Sequence, residues 1–164
     1  MIEVYSDAET VELFLDGESL GICHPRECIA RFETIYRPGM LRAIARCGEH
    51  ICGEDAVQTA GPVAAIRLVA ETDTPAGSLV WIDVMLIDSE GRWNDAEERV
   101  LTITKKGGAE LLAFGSANPR AGTYPSGVTE TYKGRAQIIL RKSEGACTVI
   151  VTSNKGESAV LSIE

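Results

Sequence analysis

Apolar and polar residues alternate along most of this chain. In "VELFLDG", Val11, Leu13 and Leu15 alternate with Glu12 and Asp16, and only Phe14 breaks the pattern. Alternation is the mark of a half-buried strand, because successive side chains of a pleated backbone point to opposite faces; a helix would need apolar spacings of three and four. Asp16-Gly17 then matches the dipeptide of a two-residue hairpin, whose central residues both take positive φ. Strand, tight turn and strand are predicted through Gly21.

The same grammar recurs on either side. "IEVYS" alternates Ile2 and Val4, "IARFETIY" alternates less cleanly, and "GMLRAIARCG" sets Leu41, Ala43 and Ala45 on one face. Pro25, Pro38-Gly39, Gly48 and Gly53 punctuate these segments. Five or six short strands are expected in about the first 60 residues. At "TAGPVAAIRL" the pattern restarts, and Gly61-Pro62 is a strong breaker because proline fixes φ and lacks a donor. A boundary near Gly61 divides the chain into 1–60 and 61–164.

The second series opens with Ile66 and Leu68. Next, Val80, Ile82, Val84 and Leu86 alternate with Trp81, Asp83 and Met85. "RVLTIT", "AELLAFG", "RAQIILRK", "CTVIVTS" and "SAVLSI" read as further separate strands, with Gly107-Gly108 as a turn. About seven strands in about 100 residues, with frequent turn signals, predict a sandwich of immunoglobulin type. The fold class is therefore all-β, two consecutive immunoglobulin-like β-sandwich domains, the first small and truncated. Two connections are long: "NDAEE" at 94–98 and "GSANPRAGTYPSGVTET" at 115–131. Loops beyond roughly 12 residues are uncommon unless they have a function, so Ser116, Asn118, Pro119 and Tyr124 are candidate contact residues, with a plain crossover between sheets as the rival. Asn118-Pro119 and Tyr124-Pro125 are expected to stiffen that loop.

Composition narrows the classes. No apolar run approaches the roughly 20 residues needed to cross a bilayer. The formal charge is −8, with Lys and Arg scattered, so nucleic acid, which demands a basic patch, is not an expected partner. No basic start and apolar centre of a signal peptide is visible, and a start inside a strand-like pattern suggests a piece of a longer chain.

Four of the five cysteines form "CHPREC" (Cys23, Cys28) and "CGEHIC" (Cys47, Cys52), with His24 and His50 between them. A zinc site is conceivable, but four intervening residues are at the edge of the usual ligand spacing, and neither metal nor cofactor is expected. Disulfides are the rival reading. Reduced thiols in a reducing, cytoplasmic compartment are favoured, with Cys147 as a small buried hydrophobe. Neither histidine has a nucleophile partner, and no pair can be chosen among 24 acidic residues for glycosidase chemistry. Trp81, Trp93 and Tyr124 could form a sugar-stacking platform, although core or inter-domain packing is the favoured account of them.

Three motifs in order carry a family resemblance. "IEVYSDAETVELFLDGESLG" resembles the small domain that follows the catalytic barrel in bacterial glycoside hydrolase family 2 β-galactosidases, where a "VELFLNGKSLG" hairpin is typical; Asp16 stands where Asn is usual. "TAGPVAAIRLVAE" resembles the junction into that family's C-terminal immunoglobulin-like domain, and "LLAFGSANPRAGTYPSGVTETYKGRAQIILR" its loop and following strand. The resemblance implies a non-catalytic C-terminal region of a β-galactosidase-like glycosidase. The family's catalytic glutamates lie on a (β/α)₈ barrel of about 250 residues, and no catalytic residue transfers to this chain. Implied partners are the catalytic and other domains of the parent, with carbohydrate and a homo-oligomer formed through the parent as further options. The alternatives are an autonomous carbohydrate-binding module and an adhesin-like immunoglobulin-fold stalk.

Overall fold

The computed structural model describes residues 1–70, 75–119, 124 and 126–164. Among them there is no helix, and the fold is all-β and sandwich-like. The chain divides into two compact units, Met1–Thr59 and Ala60–Glu164.

The first unit holds β1 (Ile2–Tyr5), β2 (Thr10–Leu15), β3 (Glu18–Cys23), β4 (Ile29–Phe32), β5 (Met40–Cys47) and β6 (His50–Gln58). One sheet runs β3-β2-β5-β6, and β1 pairs antiparallel with β4 as a second layer. The alternation of β2 does what its pattern requires: Val11, Leu13 and Leu15 are buried, and Val11 and Leu13 pack with Ala30 and Phe32 of the other layer. The turn at Asp16-Gly17 has φ of +51° and +85°, with Leu15 opposite Glu18. Asp16 also anchors β5: its N–H donates to the Met40 carbonyl at 2.9 Å, and its Oδ1 accepts the Met40 N–H at 2.8 Å.

The thiols depart from expectation. Cys47 and Cys52 are joined in a disulfide across the β5–β6 hairpin, their Cα atoms 5.9 Å apart, a separation ordinary for such a bond. Reduced thiols were expected because cysteine spacing carries no pairing information; strand register does, and it brings these two together beside the Ala45/Arg46 bulge. Cys23 and Cys28 stay free, and Cys147 is buried, its thiol pushed up by burial.

The second unit holds β7 (Ala65–Val69), β8 (Leu79–Ile87), β9 (Val100–Gly115), β10 (Val128–Glu130), β11 (Arg135–Ser153) and β12 (Ser158–Ile163). The sheet order is β10-β9-β11-β8-β7, with β12 also on β11. Where separate strands were expected, β9 and β11 each run continuously, and Gly107-Gly108 is not a turn. Gly107 pairs with Cys147, and Gly108 lies opposite residues 143–146, where the β9–β11 register slips between Lys142 and Cys147. Before the slip β11 pairs with β8, and after it with β12.

A bulge that lets two strands change partners is the usual corner of a sandwich. It also changes the buried phase of β11 from Ala136, Ile138 and Leu140 to Cys147, Val149 and Val151, so that both halves face one core with Val84, Leu86 and Phe114. Gly107 and Gly108 allow the two backbones to close here. A Cβ on either would collide with the carbonyl of Ala146 or Glu144, and Gly107 has φ +91°. Short β10 was not anticipated; it lies within the long loop read as irregular, paired with Val100, Leu101 and Thr102 of β9.

Candidate functional site

Acidic side chains concentrate at the loop after β8, and their bonding decides what chemistry they can do. Asp88 is buried and accepts four donors: the N–H groups of Gly61, Glu90 and Arg92 at 2.9, 2.9 and 2.8 Å, and the Arg92 guanidinium at 3.4 Å. The Gly61 bond, against burial and with those from Arg92 and Glu90, holds its carboxyl down at about 2. Asn94 caps the "NDAEE" segment, accepting from the N–H of Ala96 and Glu97 and donating to the Gly61 carbonyl at 2.7 Å. Buried Arg99 donates to Glu97 at 2.8 Å and Glu157 at 3.2 Å, while Glu98 accepts from Thr131 Oγ1 and the Lys133 N–H, both at 2.7 Å.

Glu97 is lowered by the Val63 N–H and Arg99; burial raises Glu157, but its bonds to Ser153 and Arg99 outweigh that. A glycosidase acid needs the opposite, a carboxyl whose environment raises its pKa until it keeps a proton near neutrality. Asp88, Glu97 and Glu157 are ionised clamps that fasten a loop.

Trp93 belongs to the same fastening. Its indole N–H donates to the Lys133 carbonyl at 3.0 Å, and the Arg135 guanidinium lies 3.8 Å from the ring centre. One face of this ring is covered, so Trp93 separates from the other two aromatic candidates.

Ser116 and Tyr124 of the long loop do come together. They line a depression of about 160 Å³ on the outer face of the second unit, with Ala113 and Gly115 of β9 and Gln137 and Ile139 of β11. The backbone fixes Tyr124, whose carbonyl accepts the Phe114 N–H at 2.8 Å. Its ring lies where a side chain on residue 115 would be, so the glycine makes room for the aromatic. Asn118 and Pro119 do not line this depression, and Pro125 lies outside the described residues. Gln137 and Asp83, joined by a bond of 3.0 Å, stand beside it and were not singled out from sequence. Their only signal was the outward phase that Asp83 shares with Trp81.

A larger cleft of about 300 Å³ lies in the first unit, between β1 and the β5–β6 face, lined by Ile2, Val4, Leu13, Leu41 and Val57 among others. It is aliphatic. Of its two carboxylates, Glu3 is bonded to Arg31 and Tyr5, and Asp55 accepts its neighbour's N–H. Among the described residues, no group of three or more His, Cys, Asp or Glu is arranged to hold a metal, and the sulfurs of Cys47 and Cys52 are bonded to each other.

Comparison with known proteins adds the wider context. Residues 67–162 match the family described as Glycoside hydrolase family 2 C-terminal domain 5, and residues 1–52 match a Domain of unknown function (DUF4982). The chain is 25% identical to Beta-galactosidase BoGH2A of Bacteroides ovatus over 97% of its own length and 20% of that protein's. A solved glycosyl hydrolase family 2 member from Bacteroides cellulosilyticus superposes with a TM-score of 0.91 at 29% identity, over 99% of this chain and 24% of that one. A β-glycosidase from Bacteroides vulgatus shares the fold, with a TM-score of 0.84 at 24% identity, over 99% of this chain and 22% of that one. The chain thus spans about a fifth to a quarter of the relatives it matches.

Proposed function

The chain belongs to the family Glycoside hydrolase family 2 C-terminal domain 5, corresponds to a C-terminal accessory region of a family 2 protein, and from that premise we propose that it serves a β-galactosidase-like enzyme without hydrolysing sugar itself. One observation carries the reading: almost all of this chain aligns with a small part of each relative. The bonding of Asp88, Glu97 and Glu157 supports it, since each accepts from backbone or arginine donors. The role is structural: the two units support the catalytic domain, its cleft or its oligomer. Partners are the other domains of the parent glycosidase.

The test is to incubate the purified chain with a chromogenic β-galactoside. No release of chromophore beyond a heat-denatured control is expected. Turnover that survives repurification and saturates with substrate would overturn the proposal.

A further inference from the structure

The outer face around Tyr124 carries more than a scaffold needs. Ser116 is only 9% exposed, lines the depression, and its Oγ has no hydrogen-bond partner among the described residues. A buried hydroxyl without a partner costs free energy, so such groups mark a missing ligand or water. Beside it Tyr124, whose ring lies above Gly115, is 51% exposed, and Trp81 is 52% exposed. Trp81 is the cross-strand neighbour of Ile139, which in turn faces Ala113. Adjacent strands lie about 4.8 Å apart, so the indole stands one strand beyond Ile139 in the same row. Small Ala113 and Gly115 keep the floor low between the two aromatics.

We propose that this face is a binding site for a neutral pyranoside, with one sugar ring laid against Tyr124 over Ala113 and Ile139, and Trp81 receiving a second ring or the aglycone. The functional groups fit that class. The C–H face of a pyranose is an apolar plate that suits an aromatic ring, and its hydroxyls need mixed donors and acceptors. Ser116 Oγ offers one of each, and the Gln137–Asp83 pair leaves the amide carbonyl and the second carboxylate oxygen for further bonds. The depression is smaller than the roughly 300–1,000 Å³ of sites enclosing drug-sized ligands, as suits a single ring lying open on a surface.

Charge selects a neutral sugar. Asp83 repels an anionic one, and among the described residues the arginines of this face are engaged elsewhere, Arg67 on the Gly91 carbonyl at 2.6 Å, Arg135 on Trp93 at 3.8 Å and Arg141 on Glu110 at 3.0 Å. The cleft of the first unit is roomier and has an open aromatic in Tyr5, but the Tyr5 hydroxyl already donates to Glu3 and no side-chain amide lines the cleft.

The experiment is amide and indole NMR on the isotope-labelled full chain, titrated into tens of millimolar with methyl β-D-galactopyranoside, methyl β-D-glucopyranoside, methyl β-D-xylopyranoside and, as the charged control, methyl β-D-glucuronoside. At least one neutral glycoside is expected to shift Gly115, Ser116, Ile139 and the Gln137 and Trp81 side chains saturably, and the glucuronoside to bind more weakly. Tyr124→Ala should weaken binding about tenfold, and Tyr124→Phe should retain it. Gly115→Ala, whose new methyl displaces the Tyr124 ring without removing it, should match Tyr124→Ala, and Ser116→Ala should lose several-fold. Dispersed spectra confirm that each variant is folded. No saturable shift with any neutral glycoside, as for a merely water-filled hollow, would overturn the proposal. So would shifts that map elsewhere, shifts indifferent to Tyr124→Ala, or shifts that follow protein concentration, which would make the face a contact between copies of the chain.

Discussion

Asp88 shows how one carboxylate can hold a loop in place. Three backbone N–H groups from two separate segments, Gly61 on one side and Glu90 and Arg92 on the other, converge on it while it is 3% exposed. Nothing in the string "LIDSEGR" announces this, because the decisive donor lies 27 residues upstream at Gly61. The structure places a buried ion at Asp88. Its carboxyl is held at about 2, below the free value of 3.8, so the folded state prefers the ionised form. The stabilisation is present above about pH 4 and is lost as pH falls toward 2. Asp88→Asn is therefore expected to be less stable than the parent chain at neutral pH, with the gap closing between about pH 4 and 2. Urea midpoints followed by tryptophan emission at several pH values measure it; a gap independent of pH would mean that the ionised form has no special place in the fold.

Strands were legible wherever alternation was uninterrupted. β2, β8 and β12 follow their apolar positions, and the Asp16-Gly17 hairpin takes the positive φ values its dipeptide implies. Asp serves there in place of the family's usual Asn because a short polar side chain tolerates left-handed φ, and its carboxylate is further tied to Met40. What misled was glycine. Gly107-Gly108 has the composition of a turn, but here glycine meets a different need, the close approach of two backbones at a corner. Local composition cannot separate these cases, since both ask for the absence of Cβ. Gly108→Ala is expected to cost about 1–3 kcal/mol, as overpacking against an unyielding carbonyl does. Gly77→Ala, at a glycine with nothing near its Cβ but with φ +87°, isolates the cost of backbone conformation alone. Chemical denaturation of the two variants compares the effects, and an unchanged midpoint for Gly108→Ala would show that the corner relaxes freely.

Fold class and the series of strands could be read from the whole chain because burial imposes period two on every segment that faces a core. Pairing could not be read, because it depends on contacts distant in sequence: the disulfide, the Gln137–Asp83 pair and the depression beneath Tyr124 all rest on strand register. The same logic yields a test of how the two units share stability. Both tryptophans, Trp81 and Trp93, lie in Ala60–Glu164, whereas the disulfide lies in Met1–Thr59. Cys47–Cys52 closes a short loop, and in the chain-entropy account such a bond stabilises by about 2 kcal/mol. Reduction should therefore lower the unfolding midpoint of the first unit, seen in the β-sheet circular dichroism signal. Tryptophan emission, which reports the second unit alone, should keep its midpoint. If both signals shift together, the units unfold as one cooperative body, and Gly61-Pro62 joins them rather than separating them.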